Sequence, residues 1–201
     1  IISPFIGGGS LESKWSSELD IPVHGYDIFD ALVNFWCVLL SRPNDLADRL
    51  RELKPTKEEY ENIKEILLRW DYTQDMLKDW HTDYYKREAI QLSELDAAAY
   101  YYHNHNLSYG PMYLGWMSKI YQSQTKWDKM TNYIGSYRNP NLKVSKASFD
   151  EVIPDYPDDL IYLDPPYYLK KDDDNKMLKG MYPNCNIDVH HTGFNHELLR
   201  D

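Results

Sequence analysis

Apolar residues fall in short runs and helical stripes whose period changes along the chain. Ile1-Ile2-Ser3-Pro4-Phe5 has the character of the end of a buried strand, and Gly7-Gly8-Gly9-Ser10 follows it as a flexible turn. A short helix is expected through Trp15, and Ile21 to Tyr26 reads as a second strand. Asp30 to Leu40 is a strongly apolar helix that ends before Pro43. Asn44 is placed to cap a helix carrying Leu46, Leu50 and Leu53. Thr56 and Glu59 form a capping-box pair ahead of Tyr60, Ile63, Ile66 and Leu67, which repeat at helical spacing. Further helices are expected over Gln74–Lys86 and Ser93–Asn104, then a loop from Leu107 to Tyr113, then a helix around Lys126–Tyr137. Leu142 to Ala147 returns to strand character. So does Leu160-Ile161-Tyr162-Leu163, which stops abruptly at Asp164-Pro165-Pro166. Lys171 to Asn186 is polar and irregular, and Phe194 to Leu199 starts a final helix.

Strands alternating with helices predict an α/β fold with a parallel sheet and helices on its faces. A long helical stretch interrupts the alternation. The expected division is residues 1–42 and 141–201 as two parts of one sheet-containing core, with 43–140 as a helical insertion. In such sheets ligands bind beyond the carboxyl ends of the strands. The glycine turn, Asp27 and the Asp164-Pro165-Pro166-Tyr167 loop all fall at that edge.

Composition permits a packed core in a chain of 201 residues, with 42% hydrophobic and 14% aromatic residues. No stretch approaches the roughly 18–20 apolar residues of a membrane span, and no signal peptide is visible, so a cytoplasmic setting is expected. Cys37 and Cys185 are far apart; Cys37 lies in an apolar helical run and is expected in the core, with no disulfide framework. The net charge of −10 opposes nucleic-acid binding unless basic residues gather on one face. Cys185, His190, His191 and His196 match no common zinc spacing, so no metal is expected. Tyr100-Tyr101-Tyr102 reads as helix packing, and Asp172-Asp173-Asp174 as a solvated loop.

The glycine turn between strand and helix lets the backbone bend tightly and approach a ligand, although such turns are as often plain connections. Asp27, at the end of the second strand, is placed to accept hydrogen bonds from ribose hydroxyls; the alternative is a helix-start acid. Asp30 suits that second role better, which leaves Asp27 free. In Asp164-Pro165-Pro166-Tyr167 the prolines stiffen the chain and remove two amide donors while keeping their carbonyls. An acid, a fixed carbonyl and an aromatic ring are then presented together, a set suited to a planar base bearing an amino group.

These motifs together resemble the adenine-specific (N6) DNA methyltransferases of the Dam-like, Asp-Pro-Pro-Tyr type. The family's Phe-x-Gly-x-Gly turn stands here as Phe5-Ile6-Gly7-Gly8-Gly9, its ribose acid as Asp27 in Tyr26-Asp27-Ile28, and its catalytic loop as Asp164 to Tyr167. Its small-plus-aromatic strand end resembles Ser148-Phe149, and its later Gly-Phe-x-His segment resembles Gly193-Phe194-Asn195-His196. The resemblance covers nearly the whole chain. It implies a Rossmann-like methyltransferase sheet with an inserted helical target-recognition domain. It also implies S-adenosylmethionine as cofactor, held by Pro4, Phe5, Gly7, Gly9, Asp27, Ile28, Ser148, Phe149 and Asp164, with catalysis by Asp164, Pro165, Pro166 and Tyr167. The substrate implied is a flipped-out adenine in double-stranded DNA. Within the insertion Asn104, Asn106, Ser108 and Tyr109 become candidate base contacts, and Lys119, Lys126, Lys129 and Arg138 candidate phosphate contacts. A cognate restriction endonuclease is a further candidate partner.

The family also carries an upstream lysine segment and strands after the Phe-x-His helix. Neither is found in these residues, so the sheet is expected to be incomplete here. The alternatives are a truncated relative that binds without catalysing, and the same chemistry on RNA.

Overall fold

The computed structural model describes residues 1–70, 89–109, 113–166 and 194–200. The helix expected over 74–86 and the residues Tyr167, Asp172 to Asp174, Cys185, His190 and His191 lie outside them.

Among the described residues three parallel strands form the sheet: β1 (Ile2–Ser3), β2 (Val23–Asp27) and β3 (Leu142–Lys146), in the order β1-β2-β3. Ser3 pairs with Gly25, and Asp27 with Lys146. β1 ends where Pro4 supplies no amide donor. On its other side, Ile2 bridges Ile161 in parallel, donating to the Leu160 carbonyl and accepting from Tyr162. The fourth segment is thus attached by one bridge, less than the strand expected over Leu160–Leu163. In space the order is 160–162, β1, β2, β3, so the chain reverses direction across the sheet between β1 and the fourth segment. This is the incomplete sheet of a Rossmann-like α/β fold, and that reversal is where such sheets bind ligands.

α1 (Ser10–Glu18) and α2 (Asp30–Ser41) follow the first two strands. α2 buries Ala31, Leu32, Val33, Phe35, Trp36, Val38 and Leu39, more than one stripe, because it packs against β2 and β3 and also against a helix of the insertion. α3 (Pro43–Glu52), α4 (Lys57–Arg69), α5 (Glu94–Leu107) and α6 (Gln124–Ser136) lie between α2 and β3, in the stretch expected to be an insertion. α2 touches α5, α5 touches α4 and α3, and α3 touches α6. One apolar core therefore runs from Val23, Leu142 and Val144 of the sheet through α2 to Leu46, Leu50, Ile63, Leu67 and Trp127. α7 (Phe149–Val152) and α8 (His196–Arg200) complete the described α-helices. No helix among the described residues is long and apolar enough to cross a membrane.

Thr56 caps α4 as expected, its hydroxyl accepting from the Glu59 amide at 3.2 Å. α3 differs. Arg42 is its N-cap and Pro43 its first residue, because the fixed φ of proline and its missing amide suit the first helical position. Asn44 instead accepts from Arg138 at 3.2 Å. Cys37 is also corrected. It is exposed on α2, where one residue's rotation past buried Trp36 turns it out of the core.

Candidate functional site at the carboxyl edge of the sheet

The turn after β1 is built from backbone bonds and one indole. Ile6 donates to the Tyr26 carbonyl at 2.9 Å, and Gly9 closes the turn onto the Ile6 carbonyl at 2.8 Å. Trp36 Nε1 donates to the Gly7 carbonyl at 3.1 Å from beneath. Gly9 has φ +62°, and a Cβ there would lie 2.5 Å from the Trp36 ring, so both backbone and packing require glycine. Gly7 and Gly8 differ: a Cβ on either would meet nothing within 4 Å. Their outer side is open to a ligand. Pro4 and Gly9, expected to line a cofactor, are buried, so they support the edge from below.

Asp27 is not free. Its Oδ1 accepts from the Phe29 amide at 2.9 Å and its Oδ2 from the Gly7 amide at 3.2 Å. Burial raises its pKa, opposed by the amide bonds from Phe29, Gly7 and Ile28. A carboxylate offers about four acceptor positions, and the three amide bonds leave only part of that capacity for a ligand hydroxyl. Asp30 takes the helix-start role in the first turn of α2 and pairs with Lys146 at 2.8 Å. Ile28, beside Asp27, is 57% exposed.

β3 ends two residues before Ser148, which caps α7 through a capping box with Glu151. That cap sets the following Phe149 ring 5.6 Å from Phe5. Phe194, from the far end of the chain, joins both at 5.6 and 5.2 Å, and His196 packs edge-on against it at 4.7 Å. Three segments remote in sequence thus share one half-buried aromatic cluster.

Asp164 lies three residues beyond Ile161, and Phe5 three beyond Ile2, its bridge partner, so both reach the same level of the edge. Asp164 is exposed, and Pro165 and Pro166 are half-buried. Four adjacent segments therefore offer Asp164, the Phe5–Gly8 turn, Asp27 and Phe149 in one row. At about 4.8 Å per strand the row spans about 14 Å. Aromatic rings, the open face of Gly7 and Gly8 and an acid with spare acceptor positions fit an extended nucleoside-bearing ligand.

The insertion holds the remaining candidates. Asn104 and Ser108 are fully buried, and Asn104 Oδ1 accepts from the Leu114 amide at 2.6 Å. They cannot reach a base edge from the core, and that expectation is corrected. Asn104 instead pins Leu114, a buried residue at φ +59°, a conformation costly for a side chain with a Cβ. Asn106 is half-buried, its amide donating to the Tyr102 carbonyl at 2.9 Å.

The pinned turn presents a pair that sequence reasoning half found. Ser108 bridges Met117 antiparallel, and Tyr109 donates to the Trp116 carbonyl at 2.9 Å. The Tyr109 and Trp116 rings stack at 4.7 Å and 12°, each about half exposed. Trp116 carried one signal in sequence, a large aromatic just after Gly115 in a turn-rich stretch. Lys119, Lys126 and Lys129 are exposed. Arg138 is committed elsewhere: its guanidinium bonds the Gly135 and Tyr137 carbonyls and Asn44, closing the end of α6.

Among curated proteins none matches this chain. The model of the D12 class N6 adenine-specific DNA methyltransferases matches residues 1–201, its full length. A Rossmann-like edge bearing the Phe5 turn, Asp27 and Asp164 in one row is therefore that of a member of the D12 class N6 adenine-specific DNA methyltransferase family.

Proposed function

We propose that the chain transfers a methyl group from S-adenosylmethionine to the N6 amine of an adenine flipped out of duplex DNA. The observation that carries this reading is the single row of Asp164, the Phe5–Gly8 turn, Asp27 and Phe149 along the carboxyl edge. In it, Asp27 accepts from the cofactor ribose with its remaining lone pairs, and Phe5, Ile28 and Phe149 flank the cofactor base. The open side of Gly7 and Gly8 lets the methionine end approach the backbone. The cofactor supplies an electrophilic methyl carbon.

Asp164 and the Pro165 carbonyl each accept one hydrogen of the adenine amine. This favours the pyramidal amine, whose lone pair can attack. A nitrogen–carbon bond forms as the sulfur–methyl bond breaks, and one amine proton leaves past exposed Asp164 to solvent. Positioning and electrostatics supply the rate, with no covalent enzyme intermediate. Adenine in a duplex cannot reach this edge without being extruded. A stack on Tyr167 returns about 1–3 kcal/mol of that cost. Residues 43–140 serve as the target-recognition unit, with Tyr109, Trp116, Lys119, Lys126 and Lys129 as its DNA contacts.

The test is transfer of labelled methyl from S-adenosylmethionine to duplex DNA, with Asp164→Ala and Tyr167→Ala as controls. Both variants are expected to stay folded and lose most activity. Full activity in Asp164→Ala would sink the mechanism. Transfer to RNA in preference to duplex DNA would replace the substrate.

A further inference from the structure

Glu12 is buried, 3% exposed, yet its hydrogen-bond partner is neutral: Ser3 Oγ, itself fully buried, donates to Glu12 Oε1 at 2.6 Å. Among the described residues no lysine, arginine or histidine pairs with it. An acid in that setting loses most of its hydration, and one neutral donor returns only part of the loss. The first turn of α1 contributes partial positive charge from its free amides. That would account for an acid at the surface of this turn, but not for one enclosed against the sheet.

The position is informative. Glu12 sits three residues beyond Gly9, in the helix that the glycine turn starts. Its partner Ser3 is the last residue of β1, just before Pro4-Phe5. Trp15, one helical turn further along α1, packs edge-on against Tyr162 of the fourth segment at 5.0 Å. The Tyr162 hydroxyl, raised first by desolvation, also feels the charges of Asp164 and Glu12. Glu12 is thus bonded to the end of β1, just before the glycine turn, on the helix whose Trp15 reaches the fourth segment.

We propose that Glu12 is the buried counter-charge for the cationic methionine end of the cofactor, acting from beneath the glycine turn and held by Ser3. This rests on the reading that the edge binds S-adenosylmethionine. That ligand carries a sulfonium, an ammonium and a carboxylate, one net positive charge, and a fixed negative charge below the turn favours it over a neutral analogue with the same adenosine part. Glu12 is a positioning residue in this scheme. It touches no reacting atom.

The test compares S-adenosylmethionine with 5′-methylthioadenosine, which keeps the adenosine and sulfur but carries no charge, by titration calorimetry. Glu12→Gln keeps an oxygen for Ser3 and removes the charge. It is expected to weaken S-adenosylmethionine about tenfold and leave 5′-methylthioadenosine unchanged. Equal losses for both ligands, or no loss for either, would overturn the proposal, since a purely structural Glu12 predicts one of these. If Glu12→Gln does not fold, the same ratio is read on Glu12→Asp, which withdraws the charge by one methylene. A loss of about threefold confined to the charged ligand supports the proposal, and an unchanged ratio overturns it. Failure of the wild type to bind either ligand overturns the cofactor reading itself, and this inference with it.

Discussion

The Gly7 amide donates to Asp27 Oδ2 at 3.2 Å, which fastens the turn after β1 to the acid that ends β2. The two residues are 20 positions apart. The acid orients the loop and keeps spare acceptor positions for a ligand. Asp27→Ala removes the tether and those positions together. Hydrogen bonds to a charged group contribute about 1.5–3 kcal/mol each, so affinity for S-adenosylmethionine should fall at least about tenfold. Titration calorimetry reads this, and wild-type affinity in Asp27→Ala would exclude the acid from the site.

Gly8 and Gly9 should separate when each is changed to alanine. At Gly9 the added methyl lies 2.5 Å from the Trp36 ring on a backbone of φ +62°, so the variant should lose about 1–3 kcal/mol of stability. At Gly8 the methyl meets nothing within 4 Å, so stability should hold while cofactor affinity falls, because the methyl intrudes on the open side. Denaturant unfolding and cofactor titration on both variants distinguish these outcomes. A Gly8→Ala protein that binds normally would mean that the ligand does not cross this turn.

Trp116 and Tyr109 present about half of each stacked ring to solvent. Trp116→Ala should weaken binding to duplex DNA by the worth of one aromatic–base stack, about 1–3 kcal/mol, and leave cofactor affinity unchanged. Fluorescence anisotropy with a labelled duplex measures the first and calorimetry the second. Asn104→Ala should also weaken DNA binding, but through loss of order at Leu114, and with a fall in stability that Trp116→Ala does not show.

His103 should make the protein sensitive to acid. Its ring is fully buried, and Nε2 bonds the Lys54 carbonyl at 2.9 Å. Burial lowers its pKa to about 4, with the Lys54 bond acting in the opposite direction. Between pH 6.5 and 4 the unfolded chain takes up a proton that the folded chain refuses. The stabilisation is therefore complete above pH 6.5 and is lost as the pH falls towards 4, to a total of about 3 kcal/mol from this group. His105 and His24, also lowered by burial, add to the same trend. Urea unfolding across this range should give a steeper loss in wild type than in His103→Gln, and equal slopes would rule out His103 as the cause.

The sequence by itself determined the order of elements and the placing of motifs at strand ends, because both rest on local physics. Helical spacing marked α2, α4 and α5 close to their observed limits. Glycine and proline marked the breaks after β1 and after residue 163. Only the tertiary structure decided what each polar residue does there, because that depends on groups distant in the chain. Asp27 read as free because its partner amide lies across the sheet in another loop. Asn104 and Ser108 read as surface polar residues, but the packing of α5 against α3 and α4 buries them, and Asn104 then pins a strained leucine. Trp116 gained its place only when an antiparallel bridge set it against Tyr109. Glu12 drew no reading from the sequence, and its burial and its bond to Ser3 come from the packing of α1 on the sheet. Strand register and helix packing set burial, and burial separates a solvated charge from one that needs a counter-charge.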